Sequence, residues 1–296
     1  MLKKFSQKLA GLSVTKVKRK LKYLAMQSRV KLVRPKYRTP VRNVYHCTVH
    51  KSGSQWIRNI MQDYRVYQYS GLHAHHYESH MPEGIDGRRI TERVLPSIMP
   101  EQTAVTPIYS DLASYQKTTK PGDFRGFFVV RDPRDVVVSW YFSARYSHRP
   151  MGRVLETRQV LGDLPVEDGL KYAIDWLGDF GLFDAVGSWF EPDGLSATER
   201  IFRYEDLNGP DGVDTFRELF AHCDIRLPED VLGKLVADHS FENLSGGRSK
   251  GEENKQDHLR KGVAGDWKNH FTPAVVEHFG EVTGDLIAKT GYEPFL

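Results

Sequence analysis

The sequence predicts an α/β domain: a central, mostly parallel sheet of about five strands, flanked by helices. Apolar, β-rich runs alternate along the chain with segments whose apolar residues repeat near the helical period, and this alternation is typical of parallel sheets. The 296 residues, 40% of them apolar, are enough to bury the core of one such domain with elaborations. Because ligands of this architecture bind beyond the carboxyl ends of the strands, the functional residues are expected in the loops there.

Short apolar runs rich in β-branched and aromatic residues predict the strands. The predicted strands are residues 41–49, 66–70, 104–109, 126–130 and 200–204. The predicted helices are residues 56–66, 133–146, 167–190, 213–221, 229–238 and 272–289. Asp132 with Pro133, and Thr272 with Pro273, provide a capping residue and a first helical position. Residues 72–89 and 147–165 are predicted to be loops, and the charged, glycine-rich residues 246–261 a mobile segment.

Basic charge is concentrated at the amino-terminal end of the chain. Residues 1–42 contain fourteen Lys or Arg and no acidic residue, whereas the rest contains 28 basic and 38 acidic residues. We therefore predict a basic arm, residues 1–42, and a main domain, residues 43–296. Apolar residues repeat at helical spacing within residues 2–12 and 14–24, a pattern that allows contact with an anionic membrane surface. Docking on the acidic body, plain solvation and a targeting peptide are the alternatives.

Cysteine usage and hydropathy narrow the class of protein further. Two cysteines cannot form a disulfide framework, and no Cys/His cluster has the spacing of a zinc site. Cys47 lies in the first predicted strand and is expected to be a buried structural thiol. No apolar run approaches the length of a membrane span. These features favour a cytoplasmic protein without a metal.

The stretch His50-Lys51-Ser52-Gly53-Ser54-Gln55-Trp56 joins the first predicted strand to the first predicted helix. A small, polar turn at a helix start offers free backbone N–H groups and the positive end of the helix dipole, and Lys51 adds a positive charge. The stretch thus predicts an anion site. It lacks the Gly-x-x-x-x-Gly-Lys-Ser/Thr order of a loop that hydrolyses nucleotides, and an ordinary strand-to-helix turn is the alternative.

Two further motifs follow along the chain. Arg131 comes at the carboxyl end of the strand predicted at 126–130, and Ser139 lies two turns into the following helix. Near the carboxyl terminus, Arg260-Lys261-Gly262 is followed by Gly265-Asp266-Trp267 in a polar loop. Arginine and lysine side chains around such loops form charge-assisted hydrogen bonds with phosphate.

These three motifs, in this order, resemble the sulfotransferases that use 3′-phosphoadenosine 5′-phosphosulfate (PAPS). The first resembles their 5′-phosphosulfate loop, usually Pro-Lys-Ser-Gly-Thr-Thr-Trp. The second resembles their 3′-phosphate motif, with Arg and Ser eight residues apart, and the third their Arg-Lys-Gly-x-x-Gly-Asp-Trp signature. The resemblance covers residues 43–296. It implies a P-loop-like three-layer fold, PAPS as sulfuryl donor, and release of 3′-phosphoadenosine 5′-phosphate (PAP).

The resemblance also implies a role for each motif residue. Lys51 would bind the phosphosulfate and stabilise the bridging oxygen as the bond to sulfur breaks. Residues implied to contact the 5′-phosphate are Ser52, Gly53, Ser54 and Gln55, the last replacing the usual Thr. Residues implied to hold the 3′-phosphate are Arg131, Ser139, Arg260, Lys261 and Gly262. Residues implied to contact adenine are Trp56, Tyr204 and Phe241. As alternatives, Trp56 and Tyr204 would be core aromatics, and Arg131 would pair with Asp135.

The catalytic base departs from the family pattern. Cytosolic relatives carry a His in a Lys-Thr-His segment about twenty residues before the 3′-phosphate arginine, whereas residues 105–111 contain no His. Carbohydrate-modifying relatives use a Glu that follows the phosphosulfate lysine by about one helix and loop. The corresponding residues 73–80 contain His and Glu side chains that could accept a proton. The candidates are His75 or His76, then Glu78, His73 and Asp111, and a solvated polar loop is the alternative.

We therefore predict a PAPS-dependent sulfotransferase that acts on a hydroxyl or amine of a small-molecule, lipid or carbohydrate acceptor. It is expected to be cytoplasmic, with peripheral membrane contact through residues 1–42 as an option, and to have no nucleic-acid partner. One alternative is a non-catalytic protein that binds PAP or another nucleotide. A second is a P-loop kinase, which would need Mg²⁺ ligands and a lysine order that the motifs lack.

Overall fold

A five-stranded, fully parallel sheet forms the centre of the computed structural model, which describes residues 29–81, 86–148 and 153–294. The strands are β1 (Asn43–Thr48), β2 (His73–His75), β3 (Thr103–Tyr109), β4 (Phe124–Val130) and β5 (Glu199–Arg203). Their order across the sheet is β2-β3-β1-β4-β5. The predicted α/β class, with about five parallel strands, is confirmed.

β1 is the central strand, and all six of its residues are buried. Successive side chains of a strand point to opposite faces of the sheet. Tyr45 and Cys47 accordingly pack into one apolar core, while Val44 packs into a second core on the other face. Helices cover both cores, so the sheet is buried on both sides, as parallel sheets require. Cys47 is a buried free thiol, as predicted.

The helices connect the strands and cover the two faces. In chain order they are α1 (Ser54–Met61), α2 (Tyr64–Gln68), α3 (Leu112–Gln116), α4 (Pro133–Phe142), α5 (Arg153–Asp163), α6 (Val166–Asp179), α7 (Leu182–Ser188), α8 (Tyr204–Asn208), α9 (Gly212–His222), α10 (Glu229–Asp238), α11 (Phe241–Ser245), α12 (Pro273–Thr283) and α13 (Leu286–Lys289). Short 3₁₀ segments lie at Tyr77–His80, Ile90–Glu92 and Asp266–Asn269, and a π-helical turn at Ser143–Ser147 extends α4.

The second strand was predicted in the wrong place. Residues 66–70 end helix α2 instead, because the Asp63 carboxylate caps that helix by accepting the Arg65 N–H and also pairs with the Arg65 guanidinium at 2.8 Å. The actual second strand, β2, lies in the predicted loop 72–89. It is a three-residue edge strand with two exposed residues, so it lacks an apolar pattern.

Three other segments differ from prediction. Residues 147–165, predicted to be a loop, contain helix α5. Residues 167–190 form α6 and α7 because Gly181, at φ 71°, ends the first helix. Residues 272–289 form α12 and α13, separated by Gly284 at φ 58°. Glycine takes up such left-handed positions without the steric cost that other residues meet, so these breaks fall at glycines.

The carboxyl-terminal part of the predicted arm lies along the domain. The backbone N–H groups of Lys36 and Thr39 donate to carbonyls at Gln68 and Ser70, and the Tyr37 hydroxyl donates to the Asp224 carboxylate at 3.1 Å. These contacts support the docking alternative for residues 36–39. The predicted helical stripes at 2–12 and 14–24 lie outside the described residues. Within the described residues, no helix is long and apolar enough to cross a membrane.

Candidate active site

The turn after β1 has the backbone of an anion-binding loop. Lys51 and Gly53 have φ values of 68° and 76°, so the chain turns twice before α1 begins at Ser54. No side chain in the described part of the chain caps α1, which leaves its first N–H groups available to a ligand. Between the two left-handed residues, the Ser52 hydroxyl is buried and has no hydrogen-bond partner among the described residues. An unpaired buried hydroxyl is costly, and an anion at this turn would satisfy it.

Lys51 is the cation of this loop, and its surroundings destabilise its charge. Burial, and then the positive charges of Arg131 and Arg260, lower the pKa of Lys51 from 10.5 to about 7. Three cations therefore converge at the carboxyl edge of the sheet. Arg131 pairs with Asp135 and Arg260 with Asp266, so Lys51 is the cation of the three without a carboxylate partner among the described residues. A bound anion would favour its charged form.

Arg131 connects the first motif to the third. It follows β4, and its Nη1 donates to the Lys51 carbonyl at 3.3 Å while Nη2 donates to the Val263 carbonyl at 3.2 Å. Its Nε is buried without a partner among the described residues. The guanidinium also pairs with Asp135 at 3.5 Å. The pairing considered as an alternative is thus present together with the contact to the Lys51 loop.

The third motif places its cations around a buried carboxylate. Asp266 pairs with Arg260, and with Lys261 at 2.6 Å. The Arg260 guanidinium also lies 4.4 Å from the centre of the Phe142 ring, on α4. Ser139 is half-buried on that helix, four residues after Asp135 and three before Phe142, so the three side chains share one helix face. The predicted 3′-phosphate residues therefore meet between α4 and this loop.

Asp135 holds the third motif in place, a role that the sequence did not indicate. Its carboxylate oxygens accept the backbone N–H groups of Gly265 at 2.7 Å and Trp267 at 2.9 Å, besides pairing with Arg131. The neighbouring Arg134 guanidinium lies 3.8 Å from the Trp267 ring centre. The spacing of four residues between Arg131 and Asp135 was visible in the sequence, but the bonds to the distant loop were not.

Aromatic rings rest directly on the two glycines of the motifs. A Cβ atom on Gly53 would lie 2.7 Å from the Tyr204 ring, and one on Gly262 would lie 2.4 Å from the Phe241 ring. Both glycines also have positive φ, of 76° and 72°. Trp56 stands edge-on to Tyr204, and its indole N–H donates to the His239 carbonyl at 2.8 Å. The three predicted adenine contacts thus surround the loops that carry the predicted phosphate contacts.

Trp56 and Tyr204 also serve the core, which was the alternative for both. Each is half-buried and packs against the apolar cluster beneath α1, and Trp56 meets the Phe216 ring edge-on at 5.4 Å. Gln55, which replaces the family's Thr, donates its amide N–H to the Tyr109 hydroxyl at 3.1 Å. That hydroxyl donates in turn to Ser54 Oγ at 2.9 Å.

Two of the five candidate bases, His75 and His76, lie at the start of the predicted loop 72–89. His75 ends β2 and pairs in register with Val105, four residues before the end of β3. His76 has a buried Nδ1 without a partner among the described residues, and burial, with Arg58 and His75 nearby, lowers the pKa of His76 to about 4.

The other three candidates have structural contacts. Glu78 is buried beside Arg93 at 3.4 Å and accepts the Asp86 N–H, His73 is exposed against the Tyr67 ring, and Asp111 caps α3. The reading of residues 73–80 as a solvated loop therefore fails for Glu78.

Comparison with known proteins agrees with this arrangement. Residues 42–291 match the family model described as the sulfotransferase domain. Sulfotransferase 1C2 of Rattus norvegicus is 25% identical over 258 residues, which are 80% of each chain. The crystal structure of mouse sulfotransferase SULT7A1 complexed with PAP covers 89% of this chain and 87% of that one, with a TM-score of 0.55 at 20% identity. Retinol dehydratase in complex with androsterone and the inactive cofactor PAP covers 90% and 85%, with a TM-score of 0.50 at 15% identity. The two structural likenesses show the P-loop-like fold, and the family match shows that the chain belongs to the sulfotransferases with this domain.

Proposed function

We propose that the protein transfers a sulfuryl group from PAPS to a hydroxyl or amine of a small-molecule acceptor and releases PAP. The observation that carries the proposal is the convergence of Lys51, Arg131 and Arg260 at one edge of the sheet, where burial and then the two arginine charges lower the pKa of Lys51 to about 7. The buried Ser52 hydroxyl and the uncapped start of α1 lie at the same edge. A ligand that carries negative charge at two ends suits this arrangement.

The residue roles follow from which loop each side chain belongs to. Lys51, Ser52, Gly53, Ser54 and Gln55 would hold the 5′ end of the nucleotide. Those assigned to the 3′-phosphate are Arg131, Ser139, Arg260, Lys261 and Gly262. Trp56, Tyr204 and Phe241 would hold the adenine. The support for this division is that Arg131 bonds both the Lys51 carbonyl and the Val263 carbonyl, and so brings the two loops to one place.

PAPS supplies the activated sulfuryl group, and the protein supplies charge and position. The Lys51 ammonium would neutralise the charge that develops on the bridging oxygen as the acceptor oxygen attacks sulfur. The α1 N–H groups would hold the non-reacting oxygens. The acceptor must also lose a proton, for which His75, His76 and Glu78 stay predictions from the sequence. Of these, Glu78 is already paired with Arg93.

A row of aromatic side chains supports an apolar acceptor. Trp140 stacks on Trp176 at 4.4 Å, and Trp176 stacks on Phe180 at 5.0 Å. Trp176 and Phe180 are half-buried, and Phe180 meets the His50 ring of the Lys51 turn at 5.4 Å. Flat apolar molecules bind well on such rows, so a small hydroxylated apolar acceptor is favoured over a carbohydrate. A cytoplasmic location and membrane contact through residues 1–42 stay predictions.

Two measurements test this function. Calorimetric titration should show tight binding of PAP and no comparable binding of ATP with Mg²⁺, and the reverse order of affinity would favour the kinase alternative. Transfer of ³⁵S from labelled PAPS to a mixed extract of small molecules should depend on Lys51. PAP binding without any transfer by the wild type would favour the non-catalytic alternative, and full transfer by Lys51→Ala would contradict the role of the lysine.

A further inference from the structure

His50 lies between Lys51 and the end of β1, and aromatic rings fix its imidazole. The ring stacks on Tyr109 with 4.2 Å between centroids and 13° between planes. Phe180 meets it edge-on at 5.4 Å and 67°. An imidazole held on two sides in this way cannot turn freely, so its nitrogens have a set direction.

One ring nitrogen of His50, Nδ1, is buried and lacks an intramolecular hydrogen-bond partner in the described ranges. His46, on β1, differs in its burial: it is fully buried, its Nδ1 bonds the Thr106 hydroxyl at 2.8 Å, and its Nε2 is buried without a partner among the described residues. His50 is only partly buried and lies in the turn that carries the catalytic lysine. An unpaired imidazole at such a position suits proton transfer better than it suits core packing.

Tyr109 contacts both His50 and the start of α1, next to the Lys51 turn. Its hydroxyl donates to Ser54 Oγ at 2.9 Å and accepts from Gln55 Nε2 at 3.1 Å. Tyr109 also ends β3, in the segment 105–111 where the resemblance implies a histidine and none is present. The stack on Tyr109 therefore places the His50 imidazole, which follows β1, beside the end of β3, where the family's histidine is missing.

The charges around His50 keep it neutral. Burial first, and then the positive charges of Arg93, Lys51 and His148, lower the pKa of His50 well below its usual value. Arg93 lies over the Tyr109 and Phe180 rings, and its own charge is partly balanced by Glu78. A neutral imidazole has a free electron pair that can accept a proton.

We propose that His50 is the general base of sulfuryl transfer, a role that rests on the proposed function of the site. His50 takes the proton from the acceptor hydroxyl as its oxygen forms a bond to sulfur. The bond between sulfur and the bridging oxygen breaks at the same time, and PAP leaves with that electron pair, next to Lys51. The proton then passes from His50 to solvent, so that one acceptor and one PAPS give one sulfate ester, one PAP and one proton.

The test compares His50→Gln with a control, His278→Gln, on one acceptor that is ionised at the assay pH and one that is not. His278 lies on α12, where it pairs with Asp175. At pH 8 most 4-nitrophenol is ionised and needs no base, whereas 2-phenylethanol is not ionised and does. We expect His50→Gln to lower kcat about 100-fold or more with 2-phenylethanol and less than about tenfold with 4-nitrophenol. The affinity for PAP should change less than about threefold, and the control His278→Gln should leave all three quantities within about threefold. If the enzyme does not accept 2-phenylethanol, hydrolysis of PAPS replaces it, because water is also an acceptor that must lose a proton.

A second variant separates chemistry from folding. Imidazole added to His50→Ala should raise turnover above that of the variant alone, because it restores a base and not a fold. Equal losses on both acceptors, turnover by His50→Gln within about threefold of wild type, or a loss of PAP binding would each overturn the role of His50. A wild type that binds PAP but turns over no PAPS, even with water, would overturn the proposed function along with it, whereas an active His50→Gln would overturn only the base.

Discussion

Binding of PAP should take up a proton, because Lys51 is partly neutral in the free protein. Burial and the neighbouring Arg131 and Arg260 lower the pKa of Lys51 to about 7. A phosphate bound among these cations attracts the Lys51 charge and therefore favours the ammonium form of Lys51. The pKa of Lys51 should then return toward its ordinary value of 10.5. Binding is therefore linked to protonation, and the affinity must fall as the pH rises above about 7.

The size of the effect follows from the two pKa values. At pH 8 about a tenth of the free protein carries the Lys51 proton and nearly all of the complex does, so binding takes up about 0.9 proton. At pH 6 the free protein is already about nine-tenths protonated, and the uptake falls to about 0.1. Above pH 7 the Kd should rise by up to about tenfold per pH unit. Phosphate itself titrates near pH 6, so pH 8 isolates the lysine.

Calorimetry in buffers of different ionisation enthalpy measures this uptake directly. Lys51→Met should weaken PAP binding and abolish the uptake at pH 8. Lys261→Met is the matched control: it removes a lysine that is paired with Asp266 at 2.6 Å, and it should weaken binding while the uptake persists. An uptake below about 0.2 proton in the wild type at pH 8, or an undiminished uptake in Lys51→Met, would refute the reasoning.

Further predictions concern the loops around the site. Gly262→Ala should lower the free energy of unfolding by more than about 2 kcal/mol and impair PAP binding, because φ is 72° and the new Cβ would lie 2.4 Å from the Phe241 ring. Gly265→Ala, at φ 74° with open space, should cost only the backbone strain of about 1–2 kcal/mol. Asp135→Asn should cost about 3 kcal/mol in a denaturant titration and weaken PAP binding, whereas the exposed Asp175→Asn should change stability by less than about 1 kcal/mol, and the opposite ranking would contradict the role given to Asp135. The Kd for PAP should also rise with salt, since cations hold the ligand, and a salt-independent Kd would argue against this.

Much of the fold was predictable because its signals are local. β1, β3 and β4 are short, mostly buried runs between turns, and Pro133 after Asp132 marks the start of α4. The signal fails where burial is partial. β2 has two exposed residues out of three, and α5 has exposed Leu155 and Val160 beside the buried Leu161, so neither presents a clear apolar face.

Part of the candidate site was also predictable, because two of its cations directly follow predicted strands. Lys51 and Arg131 each follow a strand, and parallel strands bring their carboxyl ends to one edge. His50 was overlooked as a base because it stands beside the stronger signal of Lys51. Its stack on Tyr109 depends on the pairing of β1 with β3, whose register shifts between Tyr45 and Cys47, a detail that no spacing in the sequence reveals.

The three motifs are held in position by different interactions. β1 and β4 are adjacent in the sheet, so the strand pairing alone places the Lys51 turn next to Arg131. The loop of the third motif does not follow a strand of the sheet. Its Gly265 and Trp267 N–H groups donate to the Asp135 carboxylate, and its Val263 carbonyl accepts from Arg131. One buried carboxylate on α4 thus accepts from the third loop and pairs with Arg131, which bonds the Lys51 turn. Loss of that carboxylate should disturb both ends of the nucleotide site at once, although in the assigned roles it touches neither phosphate.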